Sequence, residues 1–208
     1  MMDSSQVKNV IIPEYSVSFL EEKGQIPAER GILSILKHES KLKEELRKTF
    51  QFIEQEIPAL KGVFDIFPER EVPNHLLFQL LLSVIAMNYT IEEWSEYVTD
   101  VFYKFYEIEG KRGGEMNSPK SINRLGYDIL NPTTGTFYDG TAGIGGFLVS
   151  AAKNEKLKLY GQELNKNNWA LAKLHLLFYD RLEVNLVQGD VLSKPAFTEG
   201  NDLMKFDY

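Results

Sequence analysis

The chain has 208 residues, 43% of them hydrophobic and 12% aromatic, which is enough for one large core or two modest ones, so two domains is the starting expectation. It has no cysteine, which excludes disulfides, thiolate metal sites and a cysteine nucleophile; His38, His75 and His175 are scattered and read as ordinary surface or core residues. The net charge of −7 lies wholly in residues 1–117 while residues 118–208 balance, so neither half has the basic surface of a free-standing nucleic-acid clamp.

No apolar run approaches the roughly 18 residues of a membrane span, and the first residues lack the basic-then-apolar layout of a signal peptide. A cytoplasmic location without a membrane partner is the expectation. Residues 1–31 are mixed in composition, show no sustained period and receive no assignment. From about residue 40 to 56, Leu42, Leu46, Phe50, Ile53 and Ile57 recur three or four apart among charges. That is one apolar stripe on a solvated helix, and Pro58 stops it. Asn74 follows Pro73 and precedes LLFQLLLSVIAM, which predicts a buried helix. Thr90 and Glu93 have capping-box spacing, and Trp94, Val98, Val101 and Phe105 then predict an amphipathic helix ending before Gly110. An aromatic face of this kind would suit base stacking, yet at helical spacing a packed core accounts for it. Residues 1–109 are therefore expected to form a helical domain.

Residues 110–117, GKRGGEMN, are glycine-rich and charged and make a natural linker. Ser118 and Pro119 read as the N-cap and first-turn proline of a helix through Ile122, Leu125 and Ile129, ended by Asn131 and Pro132. The pattern then becomes regular. A strand at about 136–139 leads through a glycine turn to a helix ending near 154; a strand at 157–161 leads to a helix at 165–180; a strand at 184–188 leads to Gly189 and Asp190. Alternation of this kind implies βαβ units with parallel strands and right-handed crossovers. Residues 205–208, KFDY, look like the beginning of a fourth strand.

The stretch FYDGTAGIGGFL at 137–148 organises this second half: an apolar run, an acid, four glycines within seven positions, then apolar residues at helical spacing. Such a turn at the carboxyl end of a first parallel strand is where open α/β sheets hold nucleotide-like ligands. A dinucleotide fingerprint beginning at Gly143 and Gly145 would need glycine or alanine where Leu148 stands. A Walker A loop beginning at Gly140 would need Lys then Ser or Thr where Gly146 and Phe147 stand. A pyrophosphate cradle is disfavoured. The turn suits a ligand without a phosphate chain, accompanied by Asp139, Glu163 and Asp190 at the ends of successive strands. Glu163 lies 24 positions after Asp139, near the offset of about 20 at which an acid meets ribose hydroxyls. A carboxylate there can accept two hydroxyl hydrogen bonds, and Asp190 is placed to accept one from an adenine amine. Acids after strands also cap helices and shape turns; their recurrence after three consecutive strands favours the ligand reading.

Residues 114–208 resemble the S-adenosylmethionine-binding half of adenine-specific DNA methyltransferases, most closely the modification subunit of type I restriction-modification systems. DGTAGIGGF at 139–147 aligns without a gap to the family's D-P-A-C-G-T-G-G-F, matching at Asp139, Gly143, Gly145, Gly146 and Phe147 and departing at Gly140, Thr141, Ala142 and Ile144. YGQE at 160–163, ALAK at 170–173 and Gly189-Asp190 look like the motifs that follow. GEMNSP at 114–119 is similar to G-E-F-F-T-P, with Ser118 in place of threonine, Pro119 retained, and Met116 and Asn117 in place of two aromatics. The acidic helical region resembles the family's N-terminal helical domain in arrangement.

The resemblance implies an α + α/β chain: an N-terminal helical domain (1–109), then the first half of a class I, Rossmann-like methyltransferase sheet (110–208). It implies S-adenosyl-L-methionine as cofactor, bound by Ser118, Pro119, Asp139, Gly143, Gly145, Gly146, Phe147, Glu163 at the ribose and Asp190 at the adenine. It also implies DNA, a DNA-specificity subunit, a second modification subunit and a restriction subunit as partners, with no metal and no covalent intermediate. The family's acceptor motif, N-P-P-F or D-P-P-Y, follows a fourth strand, and Phe206-Asp207-Tyr208 reaches only its threshold. No catalytic residue is assigned, and the expectation is an N-terminal fragment inactive by itself. Two other readings remain open: a class I methyltransferase with an RNA, protein or small-molecule acceptor, and a non-catalytic assembly module that docks a specificity subunit.

Overall fold

The computed structural model describes residues 4–87, 89–110 and 118–208. The chain divides into two compact units, one through Phe105 and one from Tyr106. Most of the predicted linker, including Gly114, Glu115, Met116 and Asn117, lies outside the described residues.

The first unit contains α1 (Ser4–Glu22), α2 (Ile32–Leu36), α3 (Leu42–Glu56), α4 (Asn74–Ala86) and most of α5 (Ile91–Gly110). Helix α1 is a correction to the unassigned N-terminal stretch. Val10, Ile12, Glu14, Val17, Phe19 and Leu20 are all inaccessible, so most of its circumference is buried, with Val7, Ile11 and Ser18 half-buried on the remaining side. Because that side carries the apolar Val7 and Ile11 beside Ser18, there is no polar stripe, and hence no 3.6-residue period to read. Pro13 inside it withholds one backbone donor, and the Ser16 hydroxyl donates to the Pro13 carbonyl at 2.6 Å. Helix α3 carries the predicted stripe: Leu42, Leu46, Phe50 and Ile53 are buried, each contributing about 1.5–3 kcal/mol by leaving water. Pro58 follows the helix and opens a 3-10 turn.

Helix α4 is not the fully buried helix predicted. It packs on α1, α2 and α3, which cover Leu77, Leu81 and Val84 on one stripe while Leu82 and Ile85 face solvent. The capping box ahead of α5 forms as expected, Thr90 N–H donating to Glu93 Oε2 at 2.8 Å and Glu93 N–H to Thr90 Oγ1 at 3.3 Å. The buried face of α5 runs through Trp94, Val98 and Phe102, with Val101 and Phe105 half-buried beside it, and the helix continues through Gly110.

The second unit contains α6 (Lys120–Leu130), β1 (Gly135–Asp139), α7 (Gly146–Ala152), β2 (Leu157–Glu163), α8 (Lys166–Leu177), β3 (Asn185–Gln188) and a small hairpin of β4 (Thr198–Glu199) and β5 (Asp202–Leu203). β1, β2 and β3 are parallel neighbours in that order, with Asp139 opposite Gly161 and Glu163 opposite Gln188. Two βα steps thus bring the carboxyl ends of the strands to one edge of the sheet. Phe137, Leu148, Leu157, Leu159, Leu176 and Leu186 form the core, with Tyr127, Phe147 and Trp169 packed against it. The predicted fourth strand shows its first rung. Tyr208 N–H donates to Thr136 O at 3.1 Å and Tyr138 N–H to Tyr208 O at 3.0 Å, a parallel pattern on the edge of β1 away from β2.

Helix α6 is correctly located, and Asn131 in the left-handed region (φ 43°) ends it. Its apolar residues do not form the buried face. Ile122, Leu125 and Ile129 are 55, 54 and 72% exposed, while Asn123 is buried. The reason is Gly126: the Phe147 ring comes within 3.1 Å of where a Cβ at 126 would stand, so the helix docks on α7 through its least bulky residue. Ser118 is not the cap either. Pro119 holds the N-cap position without a side-chain bond, and the Ser118 carbonyl instead accepts from Asn123 Nδ2 at 3.4 Å.

Candidate functional site

The glycine turn after β1 is shaped by residues on the sheet. Asp139 Oδ1 accepts the Thr141 N–H at 3.1 Å, and the Gln162 carbonyl accepts the Ala142 N–H at 3.0 Å. Gly143 and Gly145 take φ of 53° and 79°, the left-handed region that a side chain resists. Gly145 N–H closes the turn onto Ala142 O at 2.7 Å, and α7 begins at the next residue.

Glu163, at the end of β2, is buried and ties two elements together. Its Oε2 accepts the Gly143 N–H at 2.7 Å and its Oε1 the Asn165 N–H at 2.8 Å. Asn165 in turn caps α8, its side chain accepting from the N–H groups of Asn167 and Asn168. Both carboxylate oxygens therefore already hold one backbone donor each, and a ligand would use the lone pairs that remain. Burial pushes the Asp139 carboxyl above its ordinary value, opposed by the Thr141 N–H and reinforced by the nearby charge of Glu163.

Above the turn lies a cleft of about 500 Å³. Of the residues predicted to bind a ligand, Ser118, Asp139, Gly143, Gly146, Phe147 and Glu163 line it; Pro119, Gly145 and Asp190 do not. Gly145 sits behind the turn, its missing Cβ 3.2 Å from the Ala172 Cβ. Asp190 is turned to its own loop: Oδ1 accepts the Leu192 N–H at 2.9 Å, and that bond, with others from Ser193, holds its carboxyl below the usual range. Sequence reasoning missed the amides Asn123, Asn165 and Asn168, which also line the cleft. An N-cap asparagine was legible at 165; the other two carry no signal of their own.

Among the described residues the lining contains two carboxylates, three amides, two hydroxyls and the apolar Phe147, Ile144 and Leu164, but no Lys, Arg or His. Phosphate recognition uses cations or a donor-rich nest, and here one turn N–H is spent on Glu163. The donor set instead fits a ligand bearing hydroxyls and positive charge.

Residues 93–208 match the family model described as N-6 DNA Methylase. The chain is 27% identical over 174 residues to the type I restriction enzyme MjaIX methylase subunit of Methanocaldococcus jannaschii, covering 76% of this chain and 30% of that protein. It is 36% identical over 148 residues to the type I restriction enzyme HindI methylase subunit of Haemophilus influenzae, covering 61% and 33%. The chain thus spans about a third of the length of these curated relatives. In fold it is similar to the type I restriction-modification system methyltransferase subunit from Streptococcus thermophilus, with a TM-score of 0.75 at 15% identity over 99% of this chain and 58% of that one.

Proposed function

Because the chain belongs to the N-6 DNA methylase family, we propose that its second unit binds S-adenosyl-L-methionine for transfer of the methyl group to the exocyclic amine of adenine in DNA. The observation that carries this reading is the cleft: acid-lined and, among the described residues, free of cationic side chains, at the glycine turn that ends the first parallel strand. S-adenosylmethionine carries a sulfonium, an ammonium, one carboxylate, two ribose hydroxyls and no phosphate, and its cationic groups and hydroxyls are the ligand chemistry that such a lining admits. When bound it supplies an electrophilic methyl carbon.

The protein's share is alignment. Glu163 accepts the ribose hydroxyls through its remaining lone pairs. Asp139 sets the negative potential at the mouth of the turn, and Phe147 with Leu164 provides an apolar wall. Ser118 and Asn123 bound the side of the cleft contributed by the start of α6. Asp190 enters this reading as the acid closing the third strand, and its own variant tests its part. In the full assembly the chain acts as part of a modification subunit with DNA, a DNA-specificity subunit, a second modification subunit and a restriction subunit. The acidic residues 1–117 and the balanced residues 118–208 leave much of the grip on DNA to a further segment or a partner.

Isothermal titration with S-adenosylhomocysteine tests the site. Glu163→Ala should weaken binding at least tenfold, by removing a buried charged acceptor, and Asp190→Ala should weaken it less. Unchanged affinity in both variants would remove the basis for this assignment.

A further inference from the structure

Helix α8 buries Ala170, Leu171, Ala172, Leu174, Leu176 and Leu177, and in their midst the wholly inaccessible imidazole of His175. Its Nδ1 lies 3.1 Å from the carbonyl oxygen of Ile144, in the glycine turn. A carbonyl only accepts, so the ring carries a proton on Nδ1 and donates it. Burial keeps the ring neutral at pH 7. The other end of the same peptide unit is also held, since the Gly145 N–H donates to Ala142 O at 2.7 Å. A peptide unit is planar. A bond at its carbonyl and another at its N–H therefore fix its rotation about the chain. The bonds from Gln162 and Glu163 hold the turn from the sheet, whereas His175 holds it from α8, one helical turn beyond Ala172, which backs Gly145.

We propose that His175 is a positioning residue for the cofactor cleft: its Nδ1–H fixes the Ile144–Gly145 peptide and, through it, the aim of Gly143, Ile144 and Gly146, all of which line the cleft. The residue touches no ligand and acts through the turn. Its effect on affinity rests on the cofactor reading above; its effect on the turn does not.

Two substitutions separate the donor from the packing. His175→Leu keeps apolar volume and loses the donor, whereas His175→Asn keeps an N–H near the position of Nδ1. Titration of the 208-residue chain with S-adenosylhomocysteine should show affinity reduced about tenfold in the leucine variant, the scale of one buried hydrogen bond. The asparagine variant should stay within about threefold of the parent. In parallel, hydrogen exchange at the Gly145 amide should accelerate with leucine and not with asparagine. Should His175→Leu not fold, His175→Phe, which keeps a ring without the donor, replaces it. Leucine binding as well as the parent, or asparagine losing as much as leucine, overturns the proposal. If the parent chain itself fails to bind, the cofactor reading falls and the exchange data decide the pin: an unchanged Gly145 rate in the leucine variant overturns it.

Discussion

Acidification should weaken the second unit through His175, by an amount that its burial sets. The ring's pKa is pushed from the ordinary 6.5 down to about 4, first by burial and further by the charge of Lys120, with the bond to Ile144 opposing. The unfolded chain therefore takes up a proton before the folded one does. The contribution is complete above pH 6.5 and is lost as pH falls toward 4. A difference of about 2.5 units corresponds to about 3 kcal/mol, a large share of the roughly 5–15 kcal/mol that holds a domain together. The two tryptophans make the measurement unit-specific, since Trp94 is buried in the first unit and Trp169 donates to the Leu186 carbonyl in the second. Urea unfolding of a Trp94→Phe background, followed by Trp169 fluorescence between pH 7 and 4, reads the second unit. Asp139, with its raised pKa, works in the opposite sense, and Asp190, with its lowered one, works in the same sense, so the decisive quantity is the difference from His175→Leu. That variant should lose most of the acid-side slope. A slope matching the parent within about 0.5 kcal/mol over this range would refute the reasoning.

The first unit should respond in the opposite direction, because Glu14 is wholly buried with neither oxygen bonded among the described residues, and burial raises its pKa well above the ordinary value. A raised acid destabilises as pH rises above its unfolded pKa, so Glu14→Leu should stabilise the unit at pH 7 by about 1–3 kcal/mol; urea midpoints from Trp94 fluorescence in a Trp169→Phe background check this, and a loss of stability would count against it. Gly145→Ala should cost about 1–2 kcal/mol for a side chain at φ 79°, with more from the 3.2 Å approach to Ala172. A shift in the Trp169-reported midpoint worth less than about 0.5 kcal/mol would show that the turn relaxes around it.

The βαβ half was legible because short apolar strands, turn residues and longer helical stretches alternate there, and the acids fall at strand ends. The failures have physical causes. Helix α1 is buried over most of its circumference and carries Val7 and Ile11 on the rest, so it presents no period. Ile122, Leu125 and Ile129 announced a helix but not its orientation, because Gly126 admits the Phe147 ring on the other side, and one-dimensional spacing does not record how closely a neighbour approaches. Asp190 stands at a strand end like Asp139 and Glu163, yet its side chain is spent on the Leu192 N–H. His175 left a trace that went unused. A polar ring inside LAKLHLLF must find a partner when buried, and the turn was the segment with carbonyls to satisfy.

Helix α1 also fixes the order in which parts become available during synthesis. Tyr15 rests on the rings of Trp94 and Tyr97, Gln6 donates to Glu71, and Glu21 accepts the Ile32 N–H, so these partners all lie later in the chain. At about 5–20 residues per second, Tyr15 waits about 4–16 s for Tyr97 to be made. Through that interval a helix that will be largely buried is exposed on the nascent chain, with Glu14 in water. The carboxylate that opposes burial in the finished unit keeps the waiting segment hydrated, and its pKa rises as the cover closes.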